Sequence, residues 1–272
     1  MSTLLETAAN RGIVPSKNFI LAHTLPIVSE SEELQRVDGH SSCFFIRVCE
    51  SVFLVTAAHV SDDAKKQRLM YFVPEEVAFE SNSAVITQAP FGKRNEDHVD
   101  IIVLKLASEI VNKINSGGIY SFFNVLDLDC GAPKKKGSLF TFAGFPHSKY
   151  EYDRAKLKFL PNAISHLGMS VANEEYTKAD VDVNTSIVIR YDRTRTKTED
   201  GKTLLRSFYP QGMSGGPVFH RNKLCGVIIE YQEQYARFIA TRIEVIVRMI
   251  QDQWPETASH LPNIRISFVR NA

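Results

Sequence analysis

Three short stretches place side chains that could do chemistry. Pro210-Gln211-Gly212-Met213-Ser214-Gly215-Gly216-Pro217-Val218 sets one hydroxyl among glycines. Glycine permits a tight loop and close backbone approach. Such a loop exposes Ser214 Oγ and aims successive backbone N–H groups at one point. That is the geometry of an oxyanion hole, with the Gly212 and Ser214 amides as donors. An ordinary Gly-Pro turn is the plain alternative, and the glycines on both sides of Ser214 argue against it. The second stretch is Val52-Phe53-Leu54-Val55-Thr56-Ala57-Ala58-His59-Val60, an apolar run that gives way to small residues and then one histidine. The small residues let the backbone turn and leave the imidazole unobstructed. In the third, His98-Val99-Asp100-Ile101-Ile102-Val103-Leu104-Lys105-Leu106, Asp100 heads an apolar run. A carboxylate placed there is at least partly buried and needs a partner. Taken singly, His59 reads as a structural histidine and Asp100 as a strand cap.

The elements that must position these groups are mostly strands. Short β-branched or aromatic runs recur at Ser42–Val48, Val52–Thr56, Met70–Phe72, Ile101–Leu106, Ser138–Ala143, Ile187–Ile189, Val218–His220, Leu224–Ile229 and Phe238–Thr241. Each is bounded by Gly, Pro, Asn, Asp or Lys, the pattern of an all-β sandwich or barrel. Arg242–Trp254 is the exception. Ile243, Ile246, Val247 and Ile250 fall at i, i+3, i+4 and i+7, and Pro255 stops the helix they predict. Leu4–Ala9 is read as a second, shorter helix. Residues 112–137 read as a connection between two halves. Residues 148–206 read as a long polar insertion whose Arg193–Gly201 run is an exposed loop or hairpin tip. No repeat at a period of 20–50 residues is visible.

Composition excludes several classes. The chain has 272 residues, 32 Lys plus Arg against 31 Asp plus Glu, and 44% hydrophobic residues. That is ordinary globular usage, not that of a disordered or collagen-like chain. The net charge of +1 argues against a dedicated nucleic-acid binder. The candidate uncharged apolar runs, such as Ile101–Leu104 and Val227–Ile229, are strand-sized, so no membrane span is expected. The N-terminal residues lack the basic and apolar regions of a secretory signal. The four cysteines, Cys43, Cys49, Cys130 and Cys225, show no metal-finger spacing. They are read as reduced, buried thiols of a cytoplasmic protein.

Taken together, the TAAHV, DIIVLKL and GxSGGPV patterns, in the chain order His, Asp, Ser, resemble the chymotrypsin/trypsin-like serine peptidase family, as a bacterial-type intracellular member. The order is distinct from those of subtilisins and α/β-hydrolases. The resemblance runs from about Ser42 to Gln253 and implies two antiparallel six-stranded β-barrels with a C-terminal α-helix. It implies a single peptidase domain, with an N-terminal barrel over about 15–125, a C-terminal barrel over about 130–241 and a helix over 242–254. It implies a catalytic triad of His59, Asp100 and Ser214. Asp97 is a second candidate for the carboxylate. Asp100 is preferred because it directly precedes the apolar run. Thr141-Phe142-Ala143-Gly144-Phe145-Pro146 is similar to a turn that packs near the active-site loop in many bacterial relatives.

Departures from the family carry information too. Secreted trypsin-like enzymes have Asp before the nucleophile, where it pairs with the N-terminus freed by activation cleavage. Here the residue is Met213, so no such activation is expected. The residue after His59 is Val60 where relatives often have Cys. By resemblance the substrate pocket has its floor at Phe208 and its wall at Ile229, Glu230 and Tyr231, with Arg237 approaching from the next strand. No carboxylate lies at the floor, so cleavage after Lys or Arg is not expected. A shallow site for small, apolar or acidic side chains is. The expected activity is serine endopeptidase chemistry without cofactor or metal, acting on protein or peptide substrates and regulated by a protein partner. Neither nucleic acid nor membrane is an expected partner. The alternative is a catalytically silent pseudo-peptidase that serves as a protein-binding module.

Overall fold

The computed structural model describes residues 15–31, 36–64, 68–73, 75–79, 84–87, 97–147, 150–153, 158–161, 163–191 and 210–264. The expected Leu4–Ala9 helix, the Arg193–Gly201 tip and Phe208 lie outside the described residues.

The N-terminal half is a curled eight-stranded sheet. Its strands are β1 (Leu25–Ser31), β2 (Arg36–Val48), β3 (Ser51–Ala57), β4 (Leu69–Val73), β5 (Glu75–Ala78), β6 (Ala84–Ile86), β7 (Ile101–Lys105) and β8 (Phe123–Asn124). They run in the order β5-β4-β1-β2-β3-β7-β6, and β8 adds to β2 in parallel. This half curls without closing among the described residues. The C-terminal half closes fully. Strands β9 (Leu139–Gly144), β12 (Ile164–Ser170), β13 (Ser186–Arg190), β14 (Pro217–His220), β15 (Lys223–Gln232) and β16 (Arg237–Arg242) form a six-stranded barrel in the order β12-β13-β16-β15-β14-β9. A hairpin of β10 (Tyr150–Asp153) and β11 (Lys158–Pro161) stands apart from it.

Among the described residues there are five α-helices: α1 (Lys17–His23), α2 (His59–Ala64), α3 (Ser108–Gly117), α4 (Asn173–Ala179) and α5 (Ile243–Gln253). Helix α5 matches the periodicity of the sequence. Helix α3 runs into the start of the stretch 112–137 read as a connection. Strands β12 and β13, within the residues 148–206 read as an insertion, belong to the barrel itself.

Three cores hold this arrangement. One fills the N-terminal sheet, one fills the closed barrel, and the largest lies between the two halves. The period of two in a strand explains how one strand serves two cores. Along β2, Phe44 and Ile46 face the core between the halves, whereas Cys43 and Phe45 face the inside of the first sheet. In β7, Ile101 and Val103 face outward to the shared core, and Ile102 and Leu104 face inward. Burial on both faces is why these strands read as continuous apolar runs. Helix α5 lays Ile243, Ile246, Val247 and Ile250 on the shared core. Just past it, the Trp254 ring sits 4.9 Å from that of Phe53.

All four cysteines are free thiols, but not all are buried. Cys43 and Cys225 are buried and Cys130 is half-buried. Cys49 is exposed, because it sits with Glu50 in the two-residue turn joining β2 to β3. Burial pushes the Cys43 thiol well up and the Cys130 thiol to about 12. No helix among the described residues is long and apolar enough to cross a membrane.

Candidate active site

His59 leaves the end of β3 at the first position of α2, and Asp100 heads β7, the antiparallel neighbour of β3. The pairing of these two strands therefore brings the two side chains together. The backbone locks the meeting, since Ala58 N–H donates to the Asp100 carbonyl at 2.8 Å. The His59 backbone N–H donates to Asp100 Oδ1 at 2.9 Å, and its ring Nδ1 lies 2.6 Å from Oδ2. Both carboxylate oxygens are thus occupied by one residue. Burial pushes the Asp100 carboxyl up, and the bonds from His59 pull it back down.

Asp100 adopts φ 44°. This left-handed conformation costs most residues free energy, and aspartate tolerates it better than most. Neighbouring hydroxyls hold the turn in place. Thr87 Oγ1 accepts from Ile101 N–H at 2.9 Å and donates to Asp97 Oδ2 at 2.5 Å. Thr241 Oγ1, from the other barrel, donates to the Val99 carbonyl at 2.5 Å. Asp97 also accepts from Val99 N–H at 3.1 Å. Its carboxylate therefore caps the turn, and the one facing His59 belongs to Asp100.

Ser214 sits in the loop before β14, at the junction of the two halves. Its carbonyl accepts from Ser42 N–H at 2.8 Å and from Ser41 Oγ at 2.5 Å. Its own Oγ donates to the Ile229 carbonyl at 3.3 Å, a long contact for a hydroxyl. The loop depends on glycine. Gly212 and Gly215 have φ 92° and 83°. A Cβ on Gly215 would lie 2.0 Å from the Ser42 carbonyl oxygen. The Gly212 and Ser214 amides donate to no described residue.

Ser42 is a site residue that the sequence did not signal. Its buried Oγ donates to the Gly212 carbonyl at 2.8 Å and accepts from Phe145 N–H at 2.9 Å. Its carbonyl accepts from Thr56 Oγ1 at 2.7 Å. His40 and His147 also gather here. His40 Nε2 lies 3.3 Å from Asp63 Oδ2, and His147 Nε2 lies 2.7 Å from the His40 carbonyl. Burial holds the His40 imidazole below the ordinary histidine value. Asp63 opposes that shift, and the nearby His147 and His59 add to it. Met213 is fully buried in the core of the closed barrel, with no ion pair to make.

The pocket residues divide. Ile229 is buried and receives the Ser214 hydroxyl. Glu230 is exposed, and Tyr231 is half-buried with its ring 4.9 Å from Phe238. Arg237 is buried with its guanidinium turned to helix α4 and its own hairpin. It donates to Gln232 Oε1 at 2.7 Å, to the Glu175 and Lys178 carbonyls at 3.1 Å each, and to Glu175 Oε2 at 3.3 Å. It acts there as a brace and not as a free charge offered to a substrate. Among the described residues no group of His, Cys, Asp and Glu could hold a metal ion.

Solved structures with this architecture include a scabies mite inactivated protease paralogue and neuropsin, a serine protease of mouse brain. Each has 15% sequence identity and a TM-score of 0.55. The paralogue match covers 89% of this chain and the neuropsin match 90%, with 97% of the other chain covered in each. The chain has the chymotrypsin-like double-barrel fold. Within it His59 and Asp100 meet at the pairing of β3 with β7, and the loop carrying Ser214 lies against Ser41 and Ser42 of β2. No family model and no curated protein sequence matches the chain.

Proposed function

We propose that this protein is a serine endopeptidase that works through an acyl-enzyme. The observation that supports this most is the double contact of His59 with Asp100 beside a glycine-built loop carrying Ser214. In this reading the Ser214 hydroxyl leaves the Ile229 carbonyl and turns to His59 Nε2. Its oxygen bonds to the substrate carbonyl carbon while its proton passes to His59. The carbonyl oxygen becomes an oxyanion held by the Gly212 and Ser214 amides. Collapse breaks the C–N bond, and His59 gives its proton to the leaving amine. Water then attacks the ester by the same route, which restores Ser214. Asp100 keeps the imidazole in the required tautomer and stabilises it when charged.

Substrate choice follows from the wall and from what Arg237 does not offer. With its guanidinium engaged by Gln232 and α4, Arg237 offers no charge to an acidic side chain, and the reading narrows to a shallow P1 site for small or apolar side chains. Cleavage of a P1-scanned peptide library tests it, and strong cleavage after Lys or Arg contradicts it. Met213 removes the means of activation by a freed N-terminus, so control by a protein partner is part of the reading. A cytoplasmic setting fits the four free thiols. The silent binding-module alternative shares this fold, since one structural neighbour is itself described as an inactivated protease. The complete His, Asp and Ser set favours the enzyme.

A further inference from the structure

The peptide between Gln211 and Gly212 decides whether the proposed oxyanion hole exists. A trans peptide is planar, so its C=O and N–H point in opposite directions. The Gln211 carbonyl accepts from His147 N–H at 2.8 Å. That contact aims the Gly212 N–H the other way. A rotation of this peptide by half a turn would put the carbonyl where the amide now points, and a carbonyl dipole repels an oxyanion.

His147 is itself tied down. A carbonyl can only accept, so the 2.7 Å contact between His147 Nε2 and the His40 carbonyl fixes the tautomer with the proton on Nε2. The ring also leans on the loop. A Cβ added to Gly212 would lie 2.5 Å from His147 Cδ2. Two residues back, Phe145 N–H reaches the Ser42 hydroxyl that also holds the Gly212 carbonyl. The segment Phe145-Pro146-His147 thus grips the loop at the two peptides on either side of Gly212.

We infer that His147 is a positioning residue. Its side chain, anchored on the His40 carbonyl, keeps its backbone N–H on the Gln211 carbonyl and so holds the Gly212 amide toward the oxyanion. The inference rests on the peptidase reading for its effect on rate, but not for its geometry. His147 touches no reacting atom. Its effect belongs to the transition state, where the oxyanion forms, and not to substrate binding.

Two variants separate this role from a general loss of structure. His147→Phe keeps a ring against Gly212 and removes the donor, whereas His147→Gln keeps an N–H donor of similar reach. Loss of one oxyanion donor typically costs about 100- to 1000-fold in kcat. An incompletely held one should cost about 10- to 100-fold. The expected result is a fall of that size in kcat for His147→Phe with KM within about twofold, recovered in most part by His147→Gln. Thermal unfolding should be nearly unchanged in both. Crystal structures of the variants should show the Gln211–Gly212 peptide rotated or mixed in His147→Phe and as in wild type in His147→Gln. Wild-type kcat in His147→Phe, or an equal loss in both variants, overturns the inference. If the wild type hydrolyses nothing, the peptidase reading fails, and the peptide orientation in the two crystal structures still decides the role of His147. An unrotated peptide in His147→Phe then overturns it.

Discussion

His59 and Asp100 meet twice, once through the ring at 2.6 Å and once through the His59 backbone N–H at 2.9 Å. The second contact orients the carboxylate before the first is made. One oxygen is fixed by main chain, so the other has a single direction left, toward Nδ1. The carbonyl of the same aspartate accepts from Ala58 N–H. The pair is therefore built by the pairing of β3 with β7 and not by side-chain rotamers alone.

This geometry separates two neighbouring aspartates. Asp100→Asn leaves an oxygen for the His59 backbone N–H but removes the charge, and it favours the wrong imidazole tautomer. It should lower kcat by about four decades with the fold kept. Asp97→Asn alters the Thr87 and Val99 contacts and not the one to His59, so it should cost about 1 kcal/mol of stability, with kcat changed less than tenfold. Steady-state kinetics beside thermal unfolding of the two variants makes the comparison. Equal losses of rate would mean that the roles are wrongly divided.

Met213 anchors the loop through an apolar contact. It is fully buried, and Gly144 leaves just enough room for it, since a Cβ there would lie 3.0 Å from Met213 Cα. Met213→Leu should cost less than about 1.5 kcal/mol. Met213→Asp would bury a carboxylate without a partner and should cost about 3 kcal/mol or more. Urea titration of both measures this. A stable, active Met213→Asp protein would show that a cationic partner reaches this position after all.

His166 sets a stability limit on the acid side. It lies in the closed barrel beside Phe142 and Tyr191, and burial lowers its pKa to about 4. The folded value is thus below the ordinary 6.5, so the unfolded chain binds the extra proton more readily. The stability linked to the neutral ring is fully present above pH 6.5 and is lost as pH falls from there toward 4. At pH 5 the loss from this group is about 2 kcal/mol. His166→Gln should flatten the fall in unfolding free energy between pH 7 and pH 5. An unchanged slope would assign the acid sensitivity to other groups.

What was legible in the sequence is what is local. The runs at Val52–Thr56 and Ile101–Leu106 are strands because both of their faces are buried, and the Ile243–Ile250 spacing is a helix. The glycines around Ser214 announce a tight loop from its composition. The residues that were missed act across the chain. Ser42, Thr241 and His147 support the site through partners brought close only by folding, and an isolated Ser, Thr or His carries no mark of that. Strand β12 is hidden among polar and charged neighbours, so part of a barrel wall reads as an insertion, whereas the Ile187–Ile189 run of β13 reads as a strand. Arg237 was placed on the right strand, but the sequence says nothing of Glu175 and Lys178 on α4, which take its guanidinium.

Activation of Ser214 as a nucleophile by His59 is the step on which the proposed mechanism depends. Labelling with a fluorophosphonate probe, read by intact mass on the purified protein and repeated with cell lysate added as a source of activator, tests it most directly. One adduct is expected on the wild-type protein, located to Ser214, absent from Ser214→Ala and strongly reduced in His59→Ala. A folded wild-type protein that takes no label in either condition, or a Ser214→Ala protein that labels equally, would contradict it.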